Sequence, residues 1–144
     1  MVNSILYGIT NAIKSAFDEV PIYIDTVEQG LTDPCFFVLP ISASEGRLLS
    51  LRAYREVVFD VHYISDAGRL KLESVASQLY LVLRQITLLD GSMLNGFDLK
   101  HEIEGDALHF FVKYKPTVLY ESDSAEPSLS TLELNAGLKN EEKN

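Results

Sequence analysis

Apolar residues recur at spacings of three and four near the start of the chain, at Val2, Ile5, Leu6, Ile9, Ala12, Ile13, Ala16, Phe17 and Val20. This periodicity predicts an amphipathic first helix, with Asn3 or Ser4 placed to cap it and Pro21 to stop it. After Pro21 the run Ile22-Tyr23-Ile24 reads as a short strand. Glu28-Gln29-Gly30 and Thr32-Asp33-Pro34 then form a turn into a second strand, Cys35–Leu39. From Pro40 to Tyr54 the alternation loosens among Ser42, Ser44, Gly46 and Ser50, so this stretch reads as either a long hairpin connection or a mobile loop.

Regular alternation returns in Arg55–Ser65, where Val57, Phe59, Val61 and Tyr63 share one face and Val58, Asp60, His62 and Ile64 the other. The apolar face marks a central or subcentral strand. A second helix follows, capped by Ser65-Asp66, with Leu72, Val75, Ala76, Leu79, Val82, Leu83 and Ile86 as its buried stripe. Ile86–Leu89 and Leu94–Ile103 read as strands, with turns at Asp90-Gly91, Asn95-Gly96 and Gly105-Asp106. The order of helix, strands, helix and strands predicts one α+β domain: a mostly antiparallel β-sheet with two helices packed on one face, plus an acidic C-terminal arm. The boundary is expected between residues 1–120 and 121–144.

The last predicted strand, Ala107–Tyr120, is too long for such a domain. Fourteen residues span roughly 46 Å at ~3.3 Å each, against a diameter of about 35 Å for a compact body of this size. It must bend or project, and Pro116, which donates no backbone hydrogen bond, is the natural break.

Composition narrows the function. The 144 residues are 47% hydrophobic, enough for one core, and no apolar run approaches the ~20 residues of a membrane-spanning helix. The N-terminus lacks the order of a signal peptide, so the chain is expected to be cytoplasmic when made. A net charge of −9 disfavours nucleic acid and anionic membrane as partners. Much of that charge lies beyond Glu121, where Leu129, Leu132, Leu134 and Leu138 are spaced as if to dock on a neighbour.

Catalytic chemistry finds little support. The single cysteine, Cys35, reads as a buried apolar residue, no serine sits in a nucleophile elbow, and no glycine loop is built for phosphate. Asp60 and His62 stand two apart on one strand face, and a metal site becomes conceivable if His109 lies on the adjacent strand. The simpler expectation is that Asp60 and His62 face Lys113 and Lys115 as cross-strand partners. Neither a cofactor nor a metal is expected. The aromatics are assigned to core packing, because the chain is too acidic for a base-stacking face.

The segments VPIYIDTVEQGLTDPCFFV (Val20–Val38), FDVHYI (Phe59–Ile64) and LHFFVKYKPTV (Leu108–Val118) occur in that order around the second helix, ahead of an acidic, leucine-bearing tail. In this the chain resembles the tail terminator family of long-tailed phages, prophages and phage-tail-like bacteriocins of Gram-positive bacteria. The resemblance implies a non-enzymatic protomer that assembles as a ring, commonly a hexamer, on the head-proximal end of the tail tube. The partners it implies are the chain itself, the tail tube protein, and a sheath or head-connector protein. The family brings no catalytic residues. Its motif positions Glu28, Gln29, Gly30, Asp33, Pro34, Phe59, Asp60, His62, Tyr63, His109, Phe110, Phe111 and Tyr114 are expected to serve fold and interface. Arg47, Arg52, Arg55, Lys113, Lys115, Tyr120 and the four tail leucines are the expected contacts to neighbours. The competing reading is a monomeric or dimeric assembly chaperone that pairs an exposed strand with its client.

Overall fold

Ile5, Ile9 and Ile13 stand one helical turn apart and are completely buried, so the first apolar stripe is the face that helix α1 (Val2–Ala16) lays against the core. The computed structural model describes residues 2–24 and 33–120. Helix α1 ends earlier than its apolar pattern. Phe17 N donates to Ile13 O and Val20 N to Phe17 O, so the remaining apolar residues lie in a turn that brings the chain to β1 (Ile22–Tyr23). Asn3 and Ser4 lie inside the first helical turn rather than ahead of it, and Ser4 is buried. At Gly8 a Cβ would sit 3.0 Å from Thr87 O and 3.1 Å from Ile86 Cδ1, so the glycine lets α1 approach the strand that carries them.

The sheet contains β1, β2 (Cys35–Arg47), β3 (Arg52–Ile64), β4 (Gln85–Thr87), β5 (Met93–Glu104), β6 (Ala107–Tyr114) and β7 (Thr117–Leu119). Its order is β1-β2-β3-β6-β5-β4, with β7 also on β3, and every pairing but β1–β2 is antiparallel. One alternating set of side chains, including Phe36, Val38, Phe59, Val61, Tyr63, Leu108, Phe110 and Val112, joins the buried residues of α1 and of α2 (Arg69–Val82) in a single core. Both helices therefore pack on one face. This is the α+β architecture the alternation predicts, with β3 as a central strand.

Several local expectations are corrected. Ser65-Asp66 does not cap α2: the cap position is Gly68, and Ser65 Oγ instead accepts a hydrogen bond from Ala67 N in a turn before the helix. Asn95-Gly96 is not a turn but part of β5. A Cβ at Gly96 would come within 2.7 Å of Leu83 O and 2.9 Å of Val112 Cγ2, so close approach, not chain reversal, requires glycine there. The Pro40–Tyr54 stretch is mostly strand: β2 runs on to Arg47, residues 48–51 turn, and β3 starts at Arg52.

The long last strand keeps one register with β3, from Ile64↔Ala107 and Val57↔Tyr114 in β6 to Arg52↔Leu119 in β7. Pro116 interrupts the ladder without shifting it, and its carbonyl accepts from Arg55 N at 2.9 Å. The strand therefore does not leave the sheet alone. It runs along a β2–β3 hairpin that is equally long.

Candidate functional site

The β2–β3 hairpin turns from core element to surface arm at one irregularity. The pairing shifts between Pro40 and Ser42, so one residue of β2 is left over and the side chains beyond it exchange faces. Before the shift Phe36 and Val38 are buried; after it the strand is almost wholly exposed. Within the arm no residue of β2 is buried, whereas the facing pair Ala53 and Val118 is. Its tip is closed by Leu48 N donating to Arg52 O and Arg52 N to Leu49 O, with Ser50 at a φ of 58°.

On the arm Glu45, Arg55 and Tyr120 tie three strand segments together. Arg55 Nε donates to Glu45 Oε1 at 2.6 Å, Arg55 Nη2 to the Tyr120 hydroxyl at 3.2 Å, and that hydroxyl to both Glu45 oxygens at 2.9 Å. The Arg55 hydrogen bond, with smaller help from Tyr120 and Arg47, lowers the Glu45 pKa below its usual value. Beside this tie lies a cavity of about 260 Å³ lined by Glu45, Arg47, Ser50, Leu51, Arg52, Ala53 and Tyr120. Four of the expected contact residues, Arg47, Arg52, Arg55 and Tyr120, are thus gathered at one end of the sheet.

Lys113 and Lys115 are elsewhere, on the helix-free face. Lys113 Nζ is 3.3 Å from Glu56 Oε1 and 3.2 Å from Asp98 Oδ2, and Lys115 Nζ lies 4.5 Å from the centre of the Phe97 ring. Neither serves Asp60 and His62, which corrects the expected cross-strand pairing. His62 faces His109 directly across the β3–β6 ladder. His62 Nε2 donates to Asp60 Oδ2 at 2.7 Å, and His109 Nδ1 lies 3.4 Å from the same oxygen. The third histidine, His101, belongs to the joint between sheet and helix: its Nε2 donates to Glu73 on α2 at 3.1 Å, and the Tyr80 hydroxyl bonds Nδ1 at 2.8 Å.

The motif positions divide by parity. Phe59, Tyr63, Phe110 and Tyr114 are core residues, and the Tyr114 hydroxyl donates to Leu83 O at 2.7 Å. Phe111 lies half-buried on the helix-free face under Lys100. Asp33-Pro34, joined by a cis peptide bond, leads into β2. Glu28, Gln29, Gly30, Leu129, Leu132, Leu134 and Leu138 lie outside the described residues. Cys35 is buried, which raises its thiol pKa and disfavours the thiolate.

The sequence reading missed the arm's apolar surface. Leu49 is 85% exposed at the tip, and Leu48, Ile41, Tyr54 and Leu119 are exposed along its length. The pair Leu48-Leu49 beside a serine in a glycine- and serine-containing stretch was the available signal. Among the described residues no helix is long and apolar enough to cross a membrane.

No curated protein matches the chain. A family model described as phage tail terminator protein matches residues 4–126, which takes in the whole sheet, α2, the arm and all but the first two residues of α1. The chain belongs to the phage tail terminator family, and its role is a structural one in the phage tail, in contact with other tail components.

Proposed function

We propose that the chain assembles as a homohexameric ring at the head-proximal end of the tail tube, where it ends tube polymerisation and presents the surface for head joining or capping. Assembly takes place in the bacterial host cytoplasm, and the ring then stays in the phage or bacteriocin tail. Its neighbours are further copies of itself, the tail tube protein, and a sheath or head-connector protein. The observation that carries this reading is the arm. A hairpin whose outer strand is almost wholly exposed from Pro40 on, with Leu49 exposed at its tip, is built to meet a surface that the same protomer does not supply. A closed ring needs one surface to meet a different one on the next subunit, and an arm that reaches to a neighbour supplies that asymmetry.

The chaperone reading draws on a related feature. Only Phe36 and Phe37 of β2 pair with β1, so the rest of its outer edge has no strand partner among the described residues. A client strand could add there. Mass and end-binding separate the two readings. Native mass spectrometry of the wild type, alone and with tail tubes, is expected to give a hexamer, with electron micrographs showing density at one tube end. Leu49→Glu, which alters only an exposed position, is expected to lower ring occupancy while leaving the circular dichroism spectrum and melting temperature unchanged. Lateral decoration of tubes, or a 1:1 complex with soluble tube protein and no ring, would replace the ring with the chaperone.

A further inference from the structure

We propose that Asp60, His62 and His109 form a binding site for one zinc-class divalent ion, which clamps β3 to β6 on the helix-free face of the sheet. The three residues come from two adjacent inner strands, β3 and β6. Asp60 and His62 share a face because they are two apart, and His62 and His109 are register partners. One ligand atom from each lies within 4.8 Å of the others. In a tetrahedral zinc site with bonds of about 2.0–2.2 Å, ligand atoms lie roughly 3.4 Å apart. The separation from His109 Nδ1 to Asp60 Oδ2 is 3.4 Å, and that from His62 Nε2 is 2.7 Å, so small side-chain rotations convert the hydrogen-bonded cluster into a coordination triangle.

A second observation points to a cation. Asp60 is only 7% exposed, and its Oδ1 is buried without a hydrogen-bond partner. Burying a carboxylate is costly unless its charge is compensated, and both nearby imidazoles approach the other oxygen. An ion held at the triangle supplies that compensation. The surroundings have the same sign: Glu104 Oε1 is 3.9 Å from His109 Nε2, the nitrogen that does not face Asp60, and Glu102 is the register partner of His109 on β5. At that distance the Glu104 carboxylate adds negative charge near the triangle without hydrogen-bonding the ring. Two imidazoles and one carboxylate select zinc, cobalt or nickel over calcium and magnesium, which require mostly oxygen ligands. The imidazole side chains are 22% and 24% exposed, so a fourth donor, water or a side chain of an abutting protein, can reach the ion.

The test uses the full chain, stripped with a chelator, titrated with Zn²⁺ against a chromophoric competitor and with Co²⁺ by visible absorption. One equivalent per chain is expected, with Co²⁺ bands of four- or five-coordinate type and no competition from Mg²⁺. His62→Ala and His109→Ala should each weaken binding by more than ~100-fold, beyond the loss typical of an orienting residue, while His101→Ala leaves it unchanged. Ring-nitrogen spectra of the wild type provide a readout that needs no variant: His62 and His109 should shift on Zn²⁺ addition and His101 should not. Sub-stoichiometric binding, retention in the His62 and His109 variants, or shifts spread equally over all three histidines would overturn the site.

Discussion

Tyr114 shows how much a single residue carries in this sheet. Its ring fills the core beside Phe59, and its hydroxyl satisfies the carbonyl at the end of α2. Burial raises its pKa above the ordinary value of 10.0. The unfolded chain therefore releases this proton first as pH rises past that value, while the folded chain keeps it, so stability falls with rising pH above that point. Tyr114→Phe removes the donor to Leu83 O and is expected to cost about 1–3 kcal/mol at neutral pH. It also removes this group's alkaline loss, so the gap between wild type and variant in urea unfolding should narrow between pH ~7 and pH ~11. A gap that stays constant would show that the Tyr114 hydroxyl titrates alike in both states. Tyr114 was legible as a strand residue, but its hydroxyl partner was not, because Leu83 lies 31 positions away and only packing brings the two together.

Among the elements, the arm was the hardest to read and α2 the easiest. The spacing of Leu72, Val75, Ala76 and Leu79 dictates one helical face, and those are the residues buried. The outer strand of the arm, β2 beyond Pro40, offers no such stripe and is held by cross-strand pairing and by the Glu45–Arg55–Tyr120 tie. Gly46 is paired with Tyr54, whose ring occupies the space a Cβ would take, so even the arm's glycine is covered by a partner that sequence spacing does not reveal. Glu45 has a lowered pKa, so the stability it contributes is present above its usual 4.5 and is lost as pH falls through its folded value. Because its side chain is 37% exposed, Glu45→Gln should change global stability by under ~1 kcal/mol. The same change should speed hydrogen exchange at the Arg55 and Tyr120 amides, which bond Pro116 O and Leu51 O across the arm. Unaltered exchange at both would mean that backbone pairing alone holds the arm.

Across the molecule, the buried core residues among the described ones run from Ser4 and Ile5 on α1 to Val118 on β7. If the domain ends near residue 120, as the composition of the tail predicts, truncation after Tyr120 should leave the melting temperature within a few degrees of the full chain; a large drop would place part of the tail in the core. The same truncation is expected to lower ring occupancy, measured by light scattering; unchanged ring mass would remove the tail leucines from the interface. The fold class, both helices, the central strand and the family were legible in the sequence, because apolar periodicity and ordered motifs are local or nearly local records of burial. It took the folded chain to show that the overlong strand runs beside a long hairpin, that four arm residues share one end, and that His109 stands across from His62. Those facts depend on register between strands distant in sequence, and on a one-residue shift in β2 that exchanges the faces of everything beyond it.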